Sequence, residues 1–198
     1  LCGQLSKIGG GVAVNVSKLR SRGEKIKGIK NASSGVIPVL KLLEGYFNYV
    51  NQLGQRQGAG AAYLNIFHDD IIEFLDTKKI NSSEQSRLQT LSIGVIIPDK
   101  FLEFAIKNEN YYTFGSKSVY DEYGIHLDDM DMEHWYDKLS NNKNIVKNLR
   151  DPREILNHMS KIQFESGYPY IMYRDNANKE HALKDIGSIK MTNLCTEI

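Results

Sequence analysis

The chain has 198 residues, with 25 Lys and Arg against 24 Asp and Glu and 41% hydrophobic residues, an ordinary globular composition long enough to bury one sizeable core. A net charge of +1 gives no electrostatic reason to expect nucleic acid as a partner, and no apolar run approaches the roughly 20 residues that span a bilayer. Two cysteines, Cys2 and Cys195, make neither a disulfide framework nor a zinc site by themselves, and such usage fits a reducing, cytoplasmic compartment. The chain opens at Leu1 with no visible signal peptide and stops at Cys195-Thr196-Glu197-Ile198, directly after an apolar stretch. We therefore expect a piece of a larger protein.

Gly9-Gly10-Gly11 feeds a short apolar strand over 12–16. A basic loop follows, with Lys18, Arg20, Arg22, Lys25, Lys27 and Lys30, longer than most connections and read equally well as a solvated face. Val36, Val39 or Leu40, Leu43, Phe47 and Val50 then recur at helical spacing, with Pro38 in the first turn and the helix expected to end near Gln52. Three glycines, Gly54, Gly58 and Gly60, mark a loop that moves or approaches another group closely.

Residues 61–67 read as a strand, and Asp70-x-x-Glu73 as a capping box for a helix carrying Ile71, Ile72 and Leu75. Residues 91–97 form another apolar strand, ended by Pro98, and a helix with Phe101, Leu102 and Ala105 follows. Residues 107–150 are polar and show only weak helical patterns. Asp151-Pro152-Arg153-Glu154 is a helix start, Gly167 a stop, and 168–173 and 188–194 read as strands. Strands alternating with helices predict an α/β fold with a largely parallel sheet covered on both faces. The glycine runs match neither a dinucleotide-binding fingerprint nor a P-loop, because Gly9-Gly10-Gly11 precedes its strand.

The five histidines are scattered and support no nucleophilic triad. His68-Asp69-Asp70 reads better as a cap with solvated acids than as a metal site, and Asp128-Asp129-Met130-Asp131 as a solvated loop. Cys2 reads as a packing residue. Cys195 stands differently: Asn193, Cys195 and Glu197 occupy alternate positions, which share a face on an extended backbone. An amide to orient a hydroxyl, a thiol, and a carboxylate to take a proton suit chemistry on a diol, against the bland alternative of a structural cysteine.

Several long segments carry a resemblance. They are Gln4-Leu5-Ser6-Lys7-Ile8-Gly9-Gly10-Gly11-Val12-Ala13, Ser33-Ser34-Gly35-Val36-Ile37-Pro38-Val39, and Asn51-Gln52-Leu53-Gly54-Gln55-Arg56-Gln57-Gly58-Ala59-Gly60-Ala61. With them go Phe74-Leu75-Asp76-Thr77-Lys78, Phe164-Glu165-Ser166-Gly167-Tyr168-Pro169-Tyr170-Ile171-Met172 and Met191-Thr192-Asn193-Leu194-Cys195-Thr196-Glu197-Ile198. In this order they resemble the large (alpha) subunit of class Ib ribonucleoside-diphosphate reductase.

The resemblance implies a ten-stranded α/β barrel built of two five-stranded, mostly parallel halves. Residues 1–198 would be the first half, an incomplete catalytic domain with effector-binding loops at about 17–30 and 51–60. It implies that a Cys195 thiyl abstracts hydrogen from the ribose, that Glu197 deprotonates the 3′-hydroxyl, and that Asn193 hydrogen-bonds near the diol. Gly10, Gly11, Leu194 and Thr196 would lie along a ribonucleoside diphosphate. Arg20, Lys27, Gln55 and Arg56 would serve a nucleoside triphosphate effector (a dNTP or ATP). The implied partners are a small (beta) subunit with a dimetal-tyrosyl radical, a second large subunit, and a glutaredoxin- or thioredoxin-like reductant, with no cofactor or metal held in this chain.

Two further cysteines needed to reduce the 2′-position lie outside these residues in the family, and Cys2 matches neither. The 198 residues alone are therefore expected to be inactive. The rival reading is a non-catalytic remnant that binds nucleotide effector or dimerises; a glycyl-radical relative is disfavoured because the glycine loops follow the class Ib pattern.

Overall fold

The computed structural model describes residues 1–50, 54 and 57–195. In chain order the elements are α1 (Cys2–Lys7), β1 (Val12–Asn15), α2 (Ile37–Tyr49), β2 (Gly60–Asn65), α3 (Ile71–Asp76), β3 (Ser92–Ile97) and α4 (Asp99–Lys107). They continue with β4 (Tyr111–Phe114), α5 (Ser116–Tyr123), a 3-10 turn over Leu127–Asp129, α6 (Met132–Asn141), β5 (Lys147–Arg150), α7 (Pro152–Ser166), β6 (Tyr170–Tyr173) and α8 (Arg174–Glu180).

Four strands form a parallel sheet in the order β1-β2-β3-β6, and β4 pairs with β5 in a separate antiparallel ribbon. Ala13 pairs with Ala61, Ala61 with Ser92, and Gly94 with Tyr170. Side-chain alternation divides the sheet into two differently covered faces. On the outer face, Ala62, Leu64, Ile93, Val95 and Ile97 join one core with Leu40 and Phe47 of α2, Phe74 of α3, Phe101 of α4 and Ile155, Met159 and Ile162 of α7. On the inner face, Ala61, Tyr63, Ile96 and Met172 are buried beneath Ile189, Met191 and Leu194. Every residue of β2 and β3 is buried, so these strands read as continuous apolar runs.

The predicted starts and stops of the longer helices hold. Pro38 lies in the first turn of α2. The Asp151 carboxylate accepts from the Arg153 and Glu154 amides, and Gly167 ends α7 at φ 78°. Cys2 opens α1 and packs against the core. The α2 helix ends at Tyr49; Gln52 is outside the described residues.

Four expectations are corrected. Residues 107–150 hold three helical segments, where the sequence showed only weak helical patterns, and the β4–β5 ribbon, which local pattern missed because its two strands are four residues each and pair with one another across more than thirty positions. Residues 188–194 form no strand, so among the described residues the parallel sheet has four strands, not five. Three of the acids read as solvated are not: Asp70 and Asp128 are buried and Asp69 is partly buried, whereas Asp129 and Asp131 are exposed as expected. Asp128 is buried, accepting from the Asn15 and Asn65 side-chain amides, and Asp69 accepts from Thr113 and Asn148. Asp70 does not cap its own helix: its carboxylate accepts from the Arg22 and Val36 amides.

His68 is fully buried, its Nε2–H donating to the Leu19 carbonyl and its Nδ1 accepting from the Asp70 amide. That leaves its ring no lone pair for a metal. Among the described residues no helix is long and apolar enough to cross a membrane.

Candidate functional site

The site is built on the inner face of the sheet, where residues 188–194 run without a backbone ladder. Side chains hold this segment instead. The Asn178 amide receives the Ile189 N–H at 2.6 Å and donates to the Ile189 carbonyl at 2.9 Å, substituting for a neighbouring strand. Asn15 Nδ2 donates to the Lys190 carbonyl at 3.3 Å. Tyr63 and Thr192 share a hydrogen bond between hydroxyls, 2.6 Å apart and buried.

Asp129 ties this segment to the basic loop, pairing through one oxygen with Lys18 at 2.8 Å and through the other with Lys190 at 3.3 Å. Partial burial works against its ionisation, but the two lysines outweigh that and hold the carboxyl below its ordinary range.

After Thr192 the chain turns. Asn193 Oδ1 accepts the Cys195 N–H at 3.1 Å, and residues 194–195 form a turn that leaves Cys195 exposed. The expected extended backbone, with Asn193, Cys195 and Glu197 sharing one face, is therefore corrected: Asn193 folds back onto the backbone of Cys195. Thr196 and Glu197 lie outside the described residues. Burial raises the Tyr170 hydroxyl above its ordinary value, and the neighbouring Tyr168 and Cys195 add to the rise.

Three of the residues expected to line a substrate converge here. A cavity of about 490 Å³ is bounded by Leu5, Gly11, Ala13, Met191 and Asn193, a size that suits a small organic ligand. A Cβ on Gly11 would stand 3.2 Å from the Leu194 Cβ, so the glycine lets the two segments meet. Gly10 is exposed beside them, against the Leu5 carbonyl.

The basic loop is pinned at its base and turned sharply at its tip. Buried Glu24 accepts from the Ser21, Lys117 and Ser118 amides, which caps α5 from a distance. Ile26 and Ile29 exchange backbone hydrogen bonds around Lys27 (φ 48°) and Gly28 (φ 83°), a two-residue turn that favours glycine in its second place. Lys27 is exposed at this tip. Arg20 lies in the same loop, and among the described residues its buried Nε has no hydrogen-bond partner. Gln55 and Arg56 are outside the described residues. Gly58, next in that loop, is buried where a Cβ would stand 2.1 Å from the Val50 carbonyl oxygen, so it serves a close approach to the end of α2.

Sequence reasoning overlooked Asn15, Tyr63 and Asn178, and read Asp129 only as part of a solvated loop. Asn15 and Asn65 carried a signal, each being the polar residue that closes an apolar strand. Tyr63 and Asn178 carried none, since their partners are 129 and 11 positions away, respectively.

A parallel α/β sheet with helices on its outer face carries a cysteine-bearing segment along its inner face. Over residues 1–198 the chain matches the ribonucleotide reductase barrel domain, and it belongs to that family. It is 54% identical over 195 residues to ribonucleoside-diphosphate reductase subunit alpha of Bacillus subtilis (strain 168), covering 98% of this chain and 28% of that protein. The corresponding subunit of Mycoplasma genitalium is 47% identical over 195 residues, covering 98% and 27%. The nrdEB subunit alpha of Bacillus phage SPbeta is 52% identical over 192 residues, covering 97% and 18%. The chain thus spans less than a third of the length of these relatives.

Proposed function

We propose that the polypeptide carrying this chain is a class Ib large subunit that reduces ribonucleoside diphosphates to 2′-deoxyribonucleoside diphosphates for DNA synthesis. The observation that carries this reading is the meeting of Gly11 and Asn193 at one cavity, with Leu194 packed on Gly11, beside the turn that presents Cys195. The Cys195 thiyl takes a hydrogen atom from the ribose C3′, becoming a thiol and leaving a carbon radical. Glu197 removes the 3′-hydroxyl proton, and Asn193 orients the diol. Gly10, Leu194 and Thr196 complete the substrate contacts.

Arg20 and Lys27 hold the phosphates of a dNTP or ATP effector, and Gln55 and Arg56 relay its identity. A beta subunit with a dimetal-tyrosyl centre supplies the radical, a second large subunit completes a homodimer, and a glutaredoxin- or thioredoxin-like protein returns the two electrons.

The test is Cys195→Ser in the full-length polypeptide, assayed with the beta subunit. Turnover is abolished while effector binding persists; surviving turnover overturns the radical assignment. A parent that binds effector yet forms no deoxynucleotide would instead favour the non-catalytic reading.

A further inference from the structure

Residues 188–194 lack a ladder, so the place of the Asn193–Cys195 turn depends on a few side chains. Of these anchors, the Tyr63 hydroxyl takes hold closest to the turn, bonding Thr192, the residue immediately before Asn193. It is also completely buried, and its ring lies flat enough over β3 that a Cβ on Gly94 would stand 2.2 Å from its Cε1. Ala61, Ile96 and Met172 bury the same inner face. A tyrosine ring held this way can move little, and its hydroxyl is a fixed point in the sheet.

Thr192 is itself 8% exposed. Its hydroxyl also donates to the Asn193 carbonyl at 3.3 Å, so the bond from Tyr63 constrains both the side chain and the peptide that enters the turn.

We infer that Tyr63 is a positioning residue for the reaction: through Thr192 it sets the place of Asn193 and Cys195 against the substrate cavity. The inference rests on the reductase reading. Tyr63 touches no reacting atom. Its contribution is to turn a segment without backbone pairing into a rigid support, so that the cysteine sulfur and the amide reach one ribose together.

The experiment uses the full-length polypeptide with the beta subunit and compares Tyr63→Phe, Thr192→Val, Thr192→Ser and the double variant Tyr63→Phe/Thr192→Val. Phe keeps the packing over Gly94 and Val keeps the shape of Thr, so each removes the hydroxyl pair alone. In Tyr63→Phe and Thr192→Val, kcat falls about fivefold to tenfold, the range one buried hydrogen bond supports, while substrate KM and effector affinity stay within about twofold. Thr192→Ser retains the parental kcat, and the double variant loses no more than either single one.

Amide exchange supplies a second readout. The Cys195 amide exchanges about fivefold faster without the hydroxyl pair, whereas Ile189, held separately by Asn178, keeps its parental rate. Parental kcat and parental exchange in Tyr63→Phe, or additive losses in the double variant, overturn the inference. If the parent itself makes no deoxynucleotide, the reductase reading fails, and the exchange rates still decide whether Tyr63 positions the turn.

Discussion

Asp70 Oδ2 accepts a hydrogen bond from the Val36 amide at 2.9 Å, so the carboxylate at the start of one helix caps the start of another. Its second oxygen takes the Arg22 amide at 2.8 Å, and the residue is 3% exposed. One side chain therefore joins the basic loop at Arg22, the entry to α2 and the turn after β2.

Asp70→Ala leaves two amide donors without their carboxylate. We expect a loss of about 3 kcal/mol in urea unfolding, the scale for stranding buried donors of a charged acceptor. The adjacent Arg22–Glu73 pair is about half exposed, and Glu73→Gln is expected to change stability by less than about 1 kcal/mol. Equal effects at the two positions would contradict the capping role of Asp70.

Gly94 is required by the Tyr63 ring. Its absent side chain leaves room that a Cβ would fill to within 2.2 Å of that ring, so Gly94→Ala overpacks the inner face and costs about 2 kcal/mol. Combining it with Tyr63→Ala should cost clearly less than the sum of the two single losses, because the clash disappears with the ring. Calorimetric unfolding of the four proteins measures that coupling; strict additivity would mean that the ring and the glycine do not meet.

Lys78 lends the fold an alkaline pH dependence. Burial, partly countered by Glu44, lowers its ammonium from 10.5 to about 8, although Nζ donates to the Leu88 carbonyl and lies 4.4 Å from the centre of the Tyr168 ring. The unfolded chain binds the proton more tightly here than the folded one. Stability attributable to Lys78 therefore rises as pH climbs from about 8 to 10.5 and is lowest below that window. Urea unfolding across this range should show the parent gaining on Lys78→Met as pH rises. A gap that stays constant, or closes the other way, would contradict the buried ammonium.

Much of the outer half of the molecule was legible beforehand. Pro38, Asp151 and Gly167 act through their own backbone neighbourhoods, and they began or ended helices as their chemistry requires. The unbroken apolar runs in β2 and β3 announced strands covered on both sides. Asp70-x-x-Glu73 failed because a carboxylate takes whichever amides the tertiary fold brings closest, and Val36 arrived from another element. The β4–β5 ribbon escaped notice because its pairing joins residues such as Tyr111 and Arg150, whose meeting no local pattern records.

The candidate site divides in the same way. Residue types and their order pointed to Asn193 and Cys195, because side-chain chemistry is written into the chain directly, while Gly11 entered only through the family resemblance. The geometry was not: alternation suggested an extended segment with three side chains on one face, and the structure bends it into a turn with Asn193 bonded to the Cys195 amide. The sequence by itself determined the class of fold, the local helix signals and the chemical groups available. Only the tertiary structure decided that Tyr63, Asn178 and Asn15 take the place of a missing ladder. Hydrophobic periodicity and capping are short-range effects, whereas a hydrogen bond between residues 63 and 192 exists only after the sheet has folded and brought them together.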